Sequence, residues 1–258
     1  SKFKQKTGIT VRVIASGTGR ALLLGERGDA DIVLVHHKTS EEKFVAKGYG
    51  IKRCDVMYND FIIVGPQQDP ANIKALNTAT EVFRQIREQA VPFVSRGDES
   101  GTHKKELELW SLAKIDVQQH SGAWYREVGA GMGTTLNIAN SMSAYAITDR
   151  GTWLSFKNRK NLALLFESDP LLFNQYGMIL VNPKHHRHVK YKQAKQFYNW
   201  LISNEGQQAI SDYTLEGQQL FFPNAQISKH VLDSSSTVPY SQDNHMLDVD
   251  RSSCFISK

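Results

Sequence analysis

Hydrophobic positions along this chain fall into short runs separated by polar stretches with helical spacing. Ile9-Thr10-Val11-Arg12-Val13-Ile14 is β-branched and predicts a strand, with the loop Ser16-Gly17-Thr18-Gly19 after it. A helix over 20–27 follows, with Ala21, Leu22 and Leu24 inward; Gly28 stops it, and the apolar run 31–35 is typical of a buried parallel strand. Phe61-Ile62-Ile63-Val64-Gly65-Pro66 predicts a strand, 80–89 a helix with Val82, Phe83 and Ile86 inward, 93–95 a strand, and 104–113 a helix. Farther on, the glycine-rich turn 129–133 opens a helix over 134–144, and strands follow at 145–148 and 162–166. Gly177-Met178-Ile179-Leu180-Val181-Asn182-Pro183 repeats the pattern of the run ending at Pro66, so the two are candidates for crossings between two lobes. The stretch 191–203 is amphipathic, with Ala194, Phe197, Tyr198 and Leu201 inward; a shorter helix covers 205–213, and 226–258 lacks apolar periodicity and predicts an irregular tail. Strands alternating with single helices point to an α/β fold with parallel sheets.

Composition narrows the function. With 258 residues and 40% hydrophobic content, the chain can bury one large core or two of roughly 100–150 residues each. Its apolar runs are far shorter than the ~20 residues of a membrane helix, and residues 1–8 are basic and polar, without a signal-peptide core. Lys and Arg exceed Asp and Glu by 31 − 26 = 5, which favours anionic partners. That excess is spread along the chain, and its densest stretch, 184–192, is largely histidine, so a nucleic-acid partner is not favoured. Two cysteines, Cys54 and Cys254, allow at most one disulfide and fit no metal spacing.

The candidate chemistry lies in three loops before helices: Ser16-Gly17-Thr18, Ser100-Gly101-Thr102 and Gly133-Thr134-Thr135. Each combines hydroxyls, which cap a first helical turn, with glycine, which lets a ligand approach the backbone. A helix N-terminus carries about +0.5 of a charge, so three converging ends with Arg96 roughly offset a dianion. None of the loops is a Walker loop or a dinucleotide fingerprint. Taken singly, each is an ordinary N-cap; repetition beside an arginine favours a ligand site. Asp98, close to an anion, is expected to orient Arg96 or cap a turn. His36-His37 and His185-His186-Arg187-His188 resemble metal-ligand clusters, but no acidic or thiol partner stands at zinc spacing, and the second group is expected to be a solvated loop. Ser100 with His103 suggests a hydrolase, yet no nucleophile elbow surrounds Ser100, and His103 is expected at the surface. Tyr125 and Tyr176 are candidates to line a cleft; the four tryptophans are expected in packing.

The segment Val94-Ser95-Arg96-Gly97-Asp98-Glu99-Ser100-Gly101-Thr102-His103, with Ser16-Gly17-Thr18-Gly19 and Gly28-Asp29-Ala30-Asp31-Ile32-Val33-Leu34-Val35-His36-His37, resembles the tungstate-binding periplasmic component of ABC transporters. The resemblance runs over most of the chain from Thr7 to Pro223. It implies a type II periplasmic-binding-protein fold: two α/β lobes, each with a mostly parallel sheet flanked by helices, joined by two hinge crossings. Lobe 1 would take 1–64 plus 179–225, lobe 2 would take 65–178, and 226–258 would be the tail. It further implies capture of tungstate or molybdate without a cofactor, delivery to a membrane-embedded permease, and a periplasmic or other extracytoplasmic location. Arg96, Ser100, Gly101, Thr102, Thr134 and Thr135 would contact the oxyanion, with Ser16 and Thr18 at or near it. The family pattern opens with a strand and a threonine-rich loop, whereas Ser1-Lys2-Phe3-Lys4-Gln5-Lys6 resembles the end of the helix after that loop. The first lobe would then lack that strand, and its unpaired edge would favour self-association. Two other oxyanions, phosphate and sulfate, and the effector domain of a transcription regulator are the alternatives; no helix-turn-helix pattern is present at either end.

Overall fold

A computed structural model describes residues 2–215 and 217–225. In chain order its elements are α1 (Lys2–Thr7), α2 (Thr18–Arg27), β1 (Ile32–Val35), α3 (Lys38–Ala46), β2 (Gly50–Pro66), α4 (Ala79–Glu88), β3 (Phe93–Ser95), α5 (Gly101–Leu112), β4 (Tyr125–Glu127) and α6 (Met132–Met142). There follow β5 (Ala146–Asp149), α7 (Arg150–Ser155), β6 (Leu162–Phe166), β7 (Phe173–Val181), α8 (Tyr191–Leu201), α9 (Asn204–Ser211), β8 (Thr214–Leu215), β9 (Gln218–Gln219) and β10 (Phe222–Pro223). The expected tail over 226–258, and Cys254 within it, lie outside the described residues.

The strand β2 organises the molecule by changing partners midway. Up to Asp60, which faces Phe173, it pairs with β7; from Phe61, which faces Asp149, it pairs with β5 and then β6. Its second half is continuously apolar because both faces are covered. Phe61 and Ile63 point into a core with Phe83, Phe93, Trp110 and Tyr145, while Ile62 and Val64 point into one with Leu136, Ala146 and Trp153. Around its first half, Cys54 and Val56 pack with Met178, Leu180, Ala194 and Tyr198, and Val33 and Ile179 pack with Phe44 on the opposite face.

Parallel pairing is less extensive than the strand–helix alternation suggests. It joins β3 to β4 and, through isolated bridges, Phe93 to Tyr145 and Ser121 to Tyr125; the ladders on β2 and β7 are antiparallel. The crossover β1–α3–β2 does leave β1 and β2 running the same way, but β7 inserts between them, antiparallel to both. The strand expected over 9–14 does not form: the segment makes no ladder among the described residues, and Val13 is 84% and Ile14 64% exposed. Its β-branched residues favour extended backbone, but no neighbouring strand bonds them among the described residues. Helix α3 and the polar first half of β2 had no apolar signature. Besides Phe44, Cys54 and Val56 in the cores, they are held by His37, whose ring accepts from Ser40 N, and by the buried Glu41, which accepts from Arg53 Nε at 2.7 Å.

Candidate anion-binding cleft

Backbone register brings the ends of α5 and α6 together. Because β3 and β4 lie side by side, their trailing loops do too: Val128 N donates to Ser95 O at 3.1 Å and Ala130 N to Arg96 O at 3.2 Å. The third helix, α2, arrives from the other half. A Cβ on Gly17 would come within 3.3 Å of Ser100 Cβ, and Lys104 Nζ bonds Ser40 Oγ across the same seam. Between them opens a cleft of about 580 Å³ lined by Ser16, Gly17, Arg20, His36, Arg96, Asp98, Ser100 and Gly131, with Ile14 and Ala15 at one side.

The Arg96 loop is internally bonded, which fixes its shape. Gly97 and Glu99 both take left-handed backbone, each with φ of 57°. Gly97 N donates to Ser95 Oγ, Ser100 N to Asp98 Oδ1, Glu99 N to His103 Nδ1, and His103 N to Ser100 Oγ. Asp98 therefore caps the turn through one oxygen and holds Arg96 Nη2 at 2.5 Å through the other. Burial raises its carboxyl, but the bonds from Ser100 and Arg96 outweigh this and hold it below the usual carboxylate range, so it stays ionised. What remains for a ligand on α5 is the unpaired first-turn N–H groups of Gly101 and Thr102 and the free side of the guanidinium.

The other two helices start on glycine, not on a hydroxyl. Gly17 and Gly131 are the N-caps of α2 and α6, and neither helix has a side-chain cap bond. Their first N–H groups are left to a ligand or to water. Hydroxyl capping was expected in all three loops; only Ser100 provides it. Thr134 is exposed and outside the lining, whereas Thr135 is buried and its Oγ1 turns back to Gly131 O at 3.1 Å, a bond that competes with any ligand. The cause is that α6 begins at Met132, two residues earlier than its pattern suggests, so both threonines sit within the helix. Thr18 and Thr102 are buried in the first turns of α2 and α5. Thr18 Oγ1, Arg96 Nε and His103 Nε2 are buried without a hydrogen-bond partner among the described residues, and all three belong to these loops.

Several sequence expectations change here. His103 is buried, not on the surface, with its ring serving the backbone of Glu99. It does not engage Ser100 as a base would: its Nδ1 accepts from Glu99 N, and its Nε2 has no hydrogen-bond partner among the described residues. Tyr125 lies in a core against Phe93 and Trp110, away from the cleft. Tyr176 stacks on His36, centroids 5.0 Å apart. The 185–188 loop is largely exposed, as expected, and is tied down at two points: His186 and His188 bond Glu26 O and Gly28 O at the C-terminal end of α2. Arg20, on the cleft wall, was not singled out, and His36 was considered only as half of a metal-type pair; the signal for a place at the cleft was its position just past the carboxyl end of β1.

A PBP superfamily domain model matches residues 1–205. The chain is 47% identical over 228 residues to the tungstate-binding protein TupA of Peptoclostridium acidaminophilum, covering 87% of this chain and 79% of that protein. Among solved structures, TupA of Desulfovibrio alaskensis G20 superposes with a TM-score of 0.75 at 43% identity, over 87% of this chain and 91% of that one. The tungstate ABC transporter structure from Geobacter sulfurreducens gives 0.75 at 49% identity, over 82% and 89%. The two-lobed architecture and the family are thereby fixed: this chain belongs to the PBP superfamily, among the relatives of the TupA tungstate-binding proteins.

Proposed function

We propose that the cleft captures a tetrahedral metal oxyanion, tungstate or the nearly isosteric molybdate, and that the chain delivers it to a membrane-embedded ABC transporter permease from an extracytoplasmic position. The observation that carries this is the convergence of three helix N-termini and Arg96 on one cleft, two of them with glycine caps. Three helix ends supply about +1.5 and Arg96 a full charge, enough to offset a dianion. Contacts would come from Arg96, Ser100, Gly101 and Thr102, with Ser16 and Thr18 from the facing loop. At α6 we assign the contact to the backbone near Gly131 rather than to Thr134 or Thr135. The lobes, about 1–64 plus 179–225 and 65–178, would pivot where β2 exchanges β7 for β5, at Asp60–Phe61. Asp98 has its Oδ1 engaged by Ser100 N and its Oδ2 by Arg96 Nη2, so neither oxygen is reserved for a ligand proton; this supports tungstate, which carries none, over hydrogen phosphate.

A thermal-shift panel of tungstate, molybdate, sulfate and phosphate tests the reading. Tungstate at a hundred times its Kd should stabilise by about 2.7 kcal/mol, sulfate and phosphate far less. No shift with any anion, or equal shifts with all, contradicts it. The chain's further partner is a second copy. β1 ends the strand path of its sheet among the described residues and exposes Leu34, which supports pairing along that edge. Light scattering showing a strict monomer would contradict this.

A further inference from the structure

His36 touches both lobes at the innermost wall of the cleft. Its ring stacks on Tyr176 of β7, interplanar angle 21°, and lies against the first residue of α5: a Cβ on Gly101 would stand 2.6 Å from Cε1 and 2.8 Å from Nε2. Only glycine admits the imidazole there. On its other side, Nδ1 is 2.9 Å from Asn174 Oδ1, and Asn174 Nδ2 donates to Asn59 Oδ1 at 2.6 Å. Asn174 has committed its amide nitrogen to Asn59 and must accept from the imidazole, so Nδ1 carries the proton and Nε2 is the atom that titrates.

We propose that His36 takes up a proton from solvent at Nε2 when the cleft closes on a dianion, so that its imidazolium adds a positive charge to the cleft wall between lobe 1 and the first turn of α5. This rests on the anion-binding reading above. Charged and titratable groups face the ring from each neighbouring element: Arg96, Asp98 and Arg20 on the cleft wall, Asp149 at the end of β5, Tyr176 on β7 and His37 next in the chain. With the cleft empty, burial, seconded by Arg96, holds the ring neutral against the opposing pulls of Asn174 and Asp149. A bound dianion cancels the Arg96 repulsion and adds a counter-charge of its own. Affinity should therefore rise as pH falls, by at most about tenfold per pH unit, the limit for one linked proton.

The test is calorimetric titration of the wild-type chain with sodium tungstate at about pH 7, in two buffers of different ionisation enthalpy. Expected is fractional proton uptake in the wild type and its disappearance in His36→Gln, whose amide keeps the ring's approximate reach without titrating. Binding with no proton uptake, or with the same uptake in both proteins, overturns the proposal. Should His36→Gln not fold, imidazole nitrogen NMR of the wild type decides: Nε2 should move from the unprotonated to the protonated range on adding tungstate, and an unchanged Nε2 overturns the proposal. Absence of binding to tungstate, molybdate, sulfate and phosphate alike is a separate outcome that brings down the anion reading, and this inference with it.

Discussion

Glu106 is the sharpest stability test in the molecule. It lies on α5, 1% exposed, one helix turn beyond the first residues of the cleft. Its Oε1 accepts from the Tyr125 hydroxyl at 2.7 Å and from Trp110 Nε1 at 3.3 Å. Burial pushes its carboxyl from 4.5 up to about 7, against the pull of hydrogen bonds from Tyr125, Ser95 and Trp110. The folded protein thus holds this proton more tightly than the unfolded chain does. The resulting stabilisation is complete below pH 4.5 and is lost as pH rises through about 7. The difference of 7 − 4.5 = 2.5 units corresponds to about 3 kcal/mol. Glu106→Gln keeps an oxygen for Tyr125 and Trp110 and has no proton to lose. Followed by circular dichroism in urea, the wild type should lose about 3 kcal/mol relative to the variant between acid and about pH 8, or about 6–12 °C in Tm. Parallel pH profiles for the two proteins would refute the reasoning.

Three further perturbations follow from the cleft and its surroundings. Arg96→Gln removes the one full charge assigned to the anion and leaves Asp98 unpaired; tungstate affinity by calorimetry should fall at least thirtyfold, about 2 kcal/mol or more, and an unchanged Kd would contradict the role. Asp98→Asn loosens Arg96, and binding of tungstate, molybdate, sulfate and phosphate should weaken together by about tenfold, the value of one charge-assisted bond; selective loss of phosphate would reverse the ligand order. Val13→Ser should change unfolding free energy by less than about 0.5 kcal/mol, since the side chain is 84% exposed and its backbone joins no ladder; a larger loss would mean that residues 9–14 form a paired strand.

Much of the lobe built on the second half of β2 was legible because its signals are local. The run Phe61–Val64, the inward face of α4 and the Arg96 loop follow from short-range pattern, and β3, β5 and β6 fall within a residue or two of expectation; on α5 the pattern placed Leu109 and Ala113 inward correctly, but Leu112, expected beside them, is exposed. What failed depended on partners distant in sequence. Residues 9–14 have strand composition, but a strand exists only with a neighbour. The polar half of β2 is a strand because β7, more than a hundred residues later, pairs with it. The structure brings together the three loops that the sequence pointed to, but hydroxyl caps were expected at each, whereas Gly17 and Gly131 hold the cap positions of α2 and α6. His36 looked like half of a metal pair, and its bond to Asn174 depends on a contact 138 residues away.

The central claim is that three helix N-termini and one guanidinium form a single anion site. Crystals of the chain soaked in tungstate, with anomalous data collected at a tungsten edge, address it without intermediaries. The account predicts one dominant tungsten peak between Gly17, Arg96, Ser100 and Gly131, with oxygens about 2.7–3.1 Å from Arg96 and the first amides of α5. A dominant peak elsewhere on the molecule, or none in this cleft at saturating tungstate, would contradict it.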